Sequence, residues 1–273
     1  MIYILLPLIF FTNIAMADFF KDISNIISNN INRLSYGVAV TDINLDNKFE
    51  FIVAGFKYPN LALSYQNGIL KNIIDNDVFK DVNRSTIGVA ACDTDQDGKE
   101  ELYFLNTDTY SGTKKYSDRL LKVRPTIKDL FELPKNQKNL NLTAGRSVVC
   151  VDRKGTGKYG IYVANYGGPT RFYELNDNSI DDIASNLKID RVTGGRAVIA
   201  GHILGDKMDI FAANERGPNF LYFNKDDKFY NVSTEFNTDD VLQNGRGTTL
   251  SDFLYRGKLD IINGNWEGFH RIF

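Results

Sequence analysis

The segment Asp93-Thr94-Asp95-Gln96-Asp97-Gly98-Lys99-Glu100-Glu101 sets carboxylates at alternate positions and closes on a further acid. Oxygen ligands so spaced converge on one hard cation when the chain turns around it, and Ca²⁺ takes about 6–8 oxygens at roughly 2.3–2.6 Å. The expected ligand set is Asp93, Asp95, Asp97, the backbone carbonyl of Lys99, and Glu101. Gly98 permits the positive φ such a turn needs. The same grammar recurs at Asp42, Asn44, Asp46, the carbonyl of Lys48 and Glu50, with Asn47 in place of the glycine. An EF-hand would require a bidentate Glu at the twelfth position, where Phe104 and Val53 stand. The two segments are therefore expected to be calcium loops between strands. The plain rival is a solvated Asp/Gly turn.

Three further loops lack the set. Asp152-Arg153-Lys154-Gly155 puts Lys at the third position and Gly160 at the ninth, and residues 252–260 put Leu254 and Arg256 at the middle positions. Residues 202–209 are one residue short. Lys154 and Arg256 are expected to supply from within the positive charge that an ion supplies elsewhere. Two bound Ca²⁺ would move the net charge from −2 to +2.

Other chemistry is sparser. Cys92 and Cys150 either pair in an oxidising compartment or stay as two buried thiols. Asn83, Asn141 and Asn231 head N-x-S/T sequons. Arg146, Arg196 and Arg246 recur in Gly-Arg pairs, as a basic ring for an anionic glycan or as partners of acids on the next repeat. There is no G-x-S-x-G, no phosphate loop and no H-E-x-x-H, and His202 and His270 lack neighbours at zinc spacing. A pair of glycosidase carboxylates stays open, because acids are plentiful.

What must position these residues is a repeat. Gly37 to Asp42 matches Gly88 to Asp93, and Gly145, Gly195 and Gly245 each stand seven residues before Asp152, His202 and Asp252. An apolar run follows every anchor. The anchors at 42, 93, 152, 202 and 252 are 51, 59, 50 and 50 residues apart. Third β-rich runs begin near Asn60, Asp118, Thr170 and Asn219, and fourth runs such as Phe229 to Val232 follow short turns. Four short strands per ~50 residues predict an all-β protein, a β-propeller of four-stranded blades with five repeats present. Phe19 to Ile23 reads as a fourth strand that could complete the last blade, and His270 to Phe273 as the start of a third.

Composition agrees with a soluble globular chain: 43% hydrophobic, 24% charged, 32 basic against 34 acidic residues. No basic footprint of a nucleic-acid binder is present. Residues 1–17 are uncharged and end in Ala15-Met16-Ala17, so a signal peptide over 1–17 and a propeller over 18–273 are expected, with no membrane span.

The D-x-D-x-D-G-x-x-E loops in these repeats resemble FG-GAP/VCBS repeats, the blades of integrin-α-like propellers. The similarity is closer to the secreted cartilage acidic protein family, through Tyr36 to Asp42, Ala91 to Thr107, Ala144 to Tyr166, Gly217 to Leu221 and Gly264 to Gly268. That resemblance implies a secreted, calcium-binding matrix or cell-surface glycoprotein without catalytic activity. It also implies seven blades and a further C-terminal domain, whereas five repeats are present here. The chain is then a fragment, a short form or a closed five-bladed ring. The expected function is an extracellular scaffold for protein or glycan contacts. The alternative is a propeller enzyme or a lectin-like module acting on glycans.

Overall fold

The computed structural model describes residues 20–273. The expected signal peptide lies outside them. The chain runs as five antiparallel meanders. The first is β1 (Val38–Thr41), β2 (Glu50–Val53), β3 (Leu61–Gln66) and β4 (Ile69–Asn72). The second is β5 (Thr86–Cys92), β6 (Glu101–Asn106), β7 (Arg119–Lys122) and β8 (Lys128–Asp129). The third is β9 (Gly145–Val151), β10 (Gly160–Pro169), β11 (Arg171–Asn176) and β12 (Ser179–Asp182). The fourth is β13 (Val192–Gly201), β14 (Asp209–Asn214), β15 (Phe220–Lys225) and β16 (Lys228–Asn231). The fifth has three strands, β17 (Gly245–Ser251), β18 (Asp260–Asn265) and β19 (Arg271–Ile272). Longer β10 and β13 also pair with each other beyond Tyr166, which ties the third and fourth sheets edge to edge.

The second strands β6, β10 and β14 are each sandwiched between two neighbouring sheets, and their side chains divide between them by the period of two, whereas β2 leaves Phe51 exposed. Leu102 and Phe104 of β6 pack toward the first sheet with Ile52, Ala62 and Val89. Tyr103 and Leu105 turn the other way, onto Ile161, Val163 and Tyr173 of the third. The third and fourth sheets share Tyr162, Phe172, Val198, Ile210 and Tyr222. Phe211, Leu221 and Ile261 join the fourth to the fifth. This explains why second strands read as unbroken apolar runs: both faces are covered, as in β6 and β14, where every residue is buried.

The first strands β1, β5, β9, β13 and β17 lie side by side in chain order, on the inner side. Their ends therefore define two opposite faces, about 20 Å apart for a seven-residue strand.

The expected N-terminal closing strand is not formed among the described residues. The N-terminal segment does not complete the last sheet. Ser24–Ile26 form a turn of 3₁₀ helix, Ile27 bridges Leu70, and the Ser28 amide donates to the Leu70 carbonyl at 2.9 Å, so the segment docks on β4 of the first sheet. Phe19 is outside the described residues. No described helix is long and apolar enough to cross a membrane.

Candidate metal centre

The loop between β5 and β6 begins as a turn held by its own first acid. Asp93 Oδ1 accepts the Asp97 amide at 3.1 Å and Oδ2 accepts the Gly98 amide at 2.9 Å. Gln96 and Gly98 occupy the left-handed region at φ 65° and 80°. The same turn recurs in three other loops. Asp42 holds the Asp46 and Asn47 amides, Asp152 those of Thr156 and Gly157, and Asp252 those of Arg256 and Gly257, at 2.7–3.1 Å. Left-handed residues stand at the fourth and sixth positions each time: Leu45 and Asn47, Gly155 and Gly157, Tyr255 and Gly257. The first Asp is thus a fastening of the turn, needed whether or not a cation binds. That accounts for Asp152 and Asp252 in loops that lack the rest of the ligand set.

The acid at the ninth position has a structural task too. Glu101 Oε2 accepts the Thr94 amide at 2.9 Å, Glu50 Oε2 the Ile43 amide at 3.1 Å, and Asp260 Oδ2 the Phe253 amide at 3.0 Å. Residues three and five are what separates one loop from another.

In the second loop one carboxylate oxygen each from Asp93, Asp95 and Glu101 lies within 4.8 Å of the others. Asp95 Oδ1 is buried without a hydrogen-bond partner. This converging set of hard oxygens, one of them unsatisfied, fits a cation of the Ca²⁺ class. Asp97 stands apart from that trio, exposed, with Oδ1 accepting the Lys99 amide at 2.9 Å, and Lys99 is itself exposed. Burial pushes the Glu101 carboxyl above its ordinary value, against the pull of its Thr94 hydrogen bonds. Nothing in the local sequence points to Lys122. From β7 its ammonium pairs with Asp95 Oδ2 and stands 3.9 Å from Glu101 Oε1.

In the first loop the Asn44 amide nitrogen bridges Glu50 Oε1 at 3.1 Å and Asp46 Oδ2 at 3.3 Å, while its oxygen accepts the Asp46 amide. Asn44 therefore faces the two acids as a donor. Lys48 is exposed and donates its amide to Asp46 Oδ1 at 2.9 Å. The expected internal cations divide. Arg256 does pair with Asp260. Lys154 is exposed and forms no ion pair among the described residues; its neighbour Arg153 takes Glu174 at 2.7 Å instead.

Cys92 and Cys150 are joined as a disulfide, Cα to Cα 5.8 Å, stapling β5 to β9 directly beside the second loop. Of the sequons, Asn83 and Asn231 are exposed. Asn141 is a correction: it is wholly buried, donating to Asp118 Oδ2 at 2.6 Å and Asn165 Oδ1 at 3.0 Å, so no glycan can be carried there in the folded chain.

The opposite face is ringed by arginine. Strand pairing slips by one residue at Ile87, Arg146, Arg196 and Arg246, a bulge that aims these side chains into the channel mouth. Glu215 is their hub. It pairs with Arg196 and, at 3.3 Å, with Arg246, and the Tyr110 and Tyr166 hydroxyls each lie 3.4 Å from its Oε1. Burial alone would raise the Glu215 pKa; the bond and charge of Arg196, with Arg246, hold it below the ordinary value. Arg146 has no acid partner among the described residues. His202 and His270 are exposed and far apart in the chain, and the His270 ring accepts the Asn265 amide at 3.1 Å.

No family model matches the chain. It is 42% identical over 271 residues to "Cartilage acidic protein 1" of Xenopus tropicalis, covering 89% of this chain and 42% of that protein. The human protein of that name is 42% identical and the mouse protein 41%, over 89% of this chain and 41% and 42% of theirs. The chain thus spans about two fifths of the length of the curated relatives it matches. Among solved structures it is similar to the Dos1 propeller, with TM-score 0.54 and 10% identity over 90% of this chain and 58% of that one. It is also similar to BBS1N, solved in complex with ARL6DN, at 0.51 and 9% over 88% and 69%. At such identities these two likenesses speak for the fold alone, and the fold is a β-propeller.

Proposed function

Because the chain belongs to the cartilage acidic protein family, we propose that it forms a secreted, calcium-binding β-propeller scaffold for extracellular protein or glycan contacts, without catalytic activity. The observation that carries the calcium reading is the convergence of Asp93, Asp95 and Glu101 with one buried oxygen of Asp95 unsatisfied. A bound ion would neutralise three acids and satisfy that oxygen. The chain's own part is to hold the trio in place: the turn fastened by Asp93, the Thr94 bonds to Glu101, and the Gln96 side chain donating to the Thr156 carbonyl at 2.6 Å on the next sheet. The first loop is the second site of the proposal, with Asp42, Asp46 and Glu50 as acids and Asn44 required to turn its oxygen inward.

Secretion is supported by the apolar residues 1–17 and by the Cys92–Cys150 bond, which an oxidising compartment maintains. Supporting the non-enzymatic reading, the sequence has no G-x-S-x-G, no phosphate loop and no H-E-x-x-H, and both histidines are exposed.

Calorimetric titration of the full chain with CaCl₂ tests this. Extracellular sites bind at about 10⁻⁴–10⁻³ M. At ten times Kd each site adds about 1.4 kcal/mol of stability, so the melting temperature should rise by several degrees, and Asp95→Ala should remove most of the rise. An unchanged melting temperature between millimolar Ca²⁺ and chelator would overturn the reading.

A further inference from the structure

The bulge position that presents Arg146, Arg196 and Arg246 is occupied by Ile87 in the second sheet, six residues before Asp93, and by Tyr36 in the first, six before Asp42. Four of these five residues, Tyr36, Ile87, Arg146 and Arg196, line one cavity of about 470 Å³ at the channel mouth. Its size lies within the ~300–1,000 Å³ of ordinary ligand clefts. Its walls combine two features. Tyr36 and Tyr110, about 60% exposed, and Phe56 offer flat apolar faces. Beside them is uncompensated positive charge.

The charge count is local and specific. Glu215 is already engaged by Arg196 and Arg246. Asp108, the acid on the cavity wall, turns its carboxylate to the Lys115 and Tyr116 amides at 3.0–3.2 Å. Arg146 and Lys57 have no acid partner among the described residues. Arg146 lies 5.2 Å from the Tyr110 ring centroid, gives one nitrogen to the Tyr110 carbonyl, and keeps its Nε buried with no acceptor. Burial, followed by the charge of Arg196, pushes its pKa below the ordinary value. An oxyanion placed there would relieve both the missing acceptor and the like-charge crowding.

We propose that this mouth binds an acidic saccharide, a sugar chain bearing carboxylate or sulfate groups, with Arg146 and Lys57 meeting the anion and Tyr36, Tyr110 and Phe56 covering the sugar faces. Guanidinium presents a planar fork to either oxyanion, and an aromatic ring shelters the apolar C–H face of a pyranose without asking for a hydrogen bond. The site is one strand length from the calcium loops and shares no residue with them, so the proposal rests on the glycan-contact part of the proposed function and stands or falls independently of the metal.

The test titrates the full chain, in chelator, with a uronate oligosaccharide, a sulfated glucan oligosaccharide of equal length, the neutral glucan, and oligoglutamate. The two acidic sugars bind, with their ratio showing which oxyanion is preferred, and the neutral sugar binds at least about tenfold more weakly. Arg146→Ala lowers affinity for both by about tenfold. Tyr36→Ala weakens the sugars but leaves binding of inorganic sulfate unchanged. Should Arg146→Ala fail to fold, Lys57→Ala, at an exposed position, serves in its place. Oligoglutamate binding as tightly as the sugars, equal binding of the neutral glucan, no binding at millimolar sugar, or indifference to these substitutions would overturn the proposal.

Discussion

The ammonium of Lys122 rests against the carboxylate of Asp95, so a lysine from the third strand of the second sheet stands where a divalent ion would be held. An ion bound by the proposed trio would compete with the lysine for the same carboxylates. Lys122→Met should raise calcium affinity by about tenfold, since it removes a positive charge from a partly buried acidic trio. Calorimetry on the variant checks this. A variant that is destabilised and still blind to calcium would instead mark Lys122 as the loop's permanent counter-charge.

The first acid of each loop fastens a turn, which separates its effect from that of the ligands. Asp152→Ala, in a loop without a ligand set, should cost about 1–2 kcal/mol by freeing the Thr156 and Gly157 amides. Urea unfolding should show the same loss with and without calcium.

The Cys92–Cys150 bond closes a span of 58 residues between two sheets. Replacing both cysteines by alanine should cost about 2–5 kcal/mol. The loss is read as a lowered denaturant midpoint.

Lys114 and Asp118 form an ion pair with no solvent exposure on either side chain, and Asp118 also accepts from Tyr103, Asn141 and the Asn106 amide. Lys114→Met should destabilise by about 3–5 kcal/mol, because the aspartate is left charged and buried. A loss under 1 kcal/mol would show the neutral donors suffice.

Glu215 has a folded-state pKa below the ordinary glutamate value near 4.5. Its contribution is therefore complete above that value and fades as pH falls through the lowered one. Glu215→Gln should flatten the loss of stability below pH 4.5 while weakening the protein at pH 7. Unfolding free energies at several pH values decide it.

The repeat and its strand order are legible because a strand covered on both faces must read as an unbroken apolar run, and Leu102 to Leu105 does. The loop turns are legible because Asn47 and Gly98 suit a left-handed backbone. Leu45 and Tyr255 take the same conformation, which their side chains do not advertise. Lys122 is not legible, because it lies 27 residues from Asp95 and carries no local signal. Glu215 had one. It directly follows the buried Asn214, and the residues directly following Asn165 and Asn265 are Tyr166 and Trp266, which also face the arginines. The position after the buried Asn is the signal that marks the hub. The burial of Asn141 is not legible, because nothing in a sequon tells whether its amide is already spent on another sheet.

The division of β6, β10 and β14 between two neighbouring sheets has a consequence for how the chain folds. No sheet owns a core, so a single repeat released from the chain would bury only half of its apolar faces, and none should be stable alone. Order should instead spread pairwise from whichever interface forms first. The one between the second and third sheets, which holds both the disulfide and the Lys114–Asp118 network, is the strongest candidate for that nucleus. Contacts between sheets mostly join sheets adjacent in the chain, so assembly proceeds by short-range steps, and damage to one interface stalls it there rather than everywhere at once.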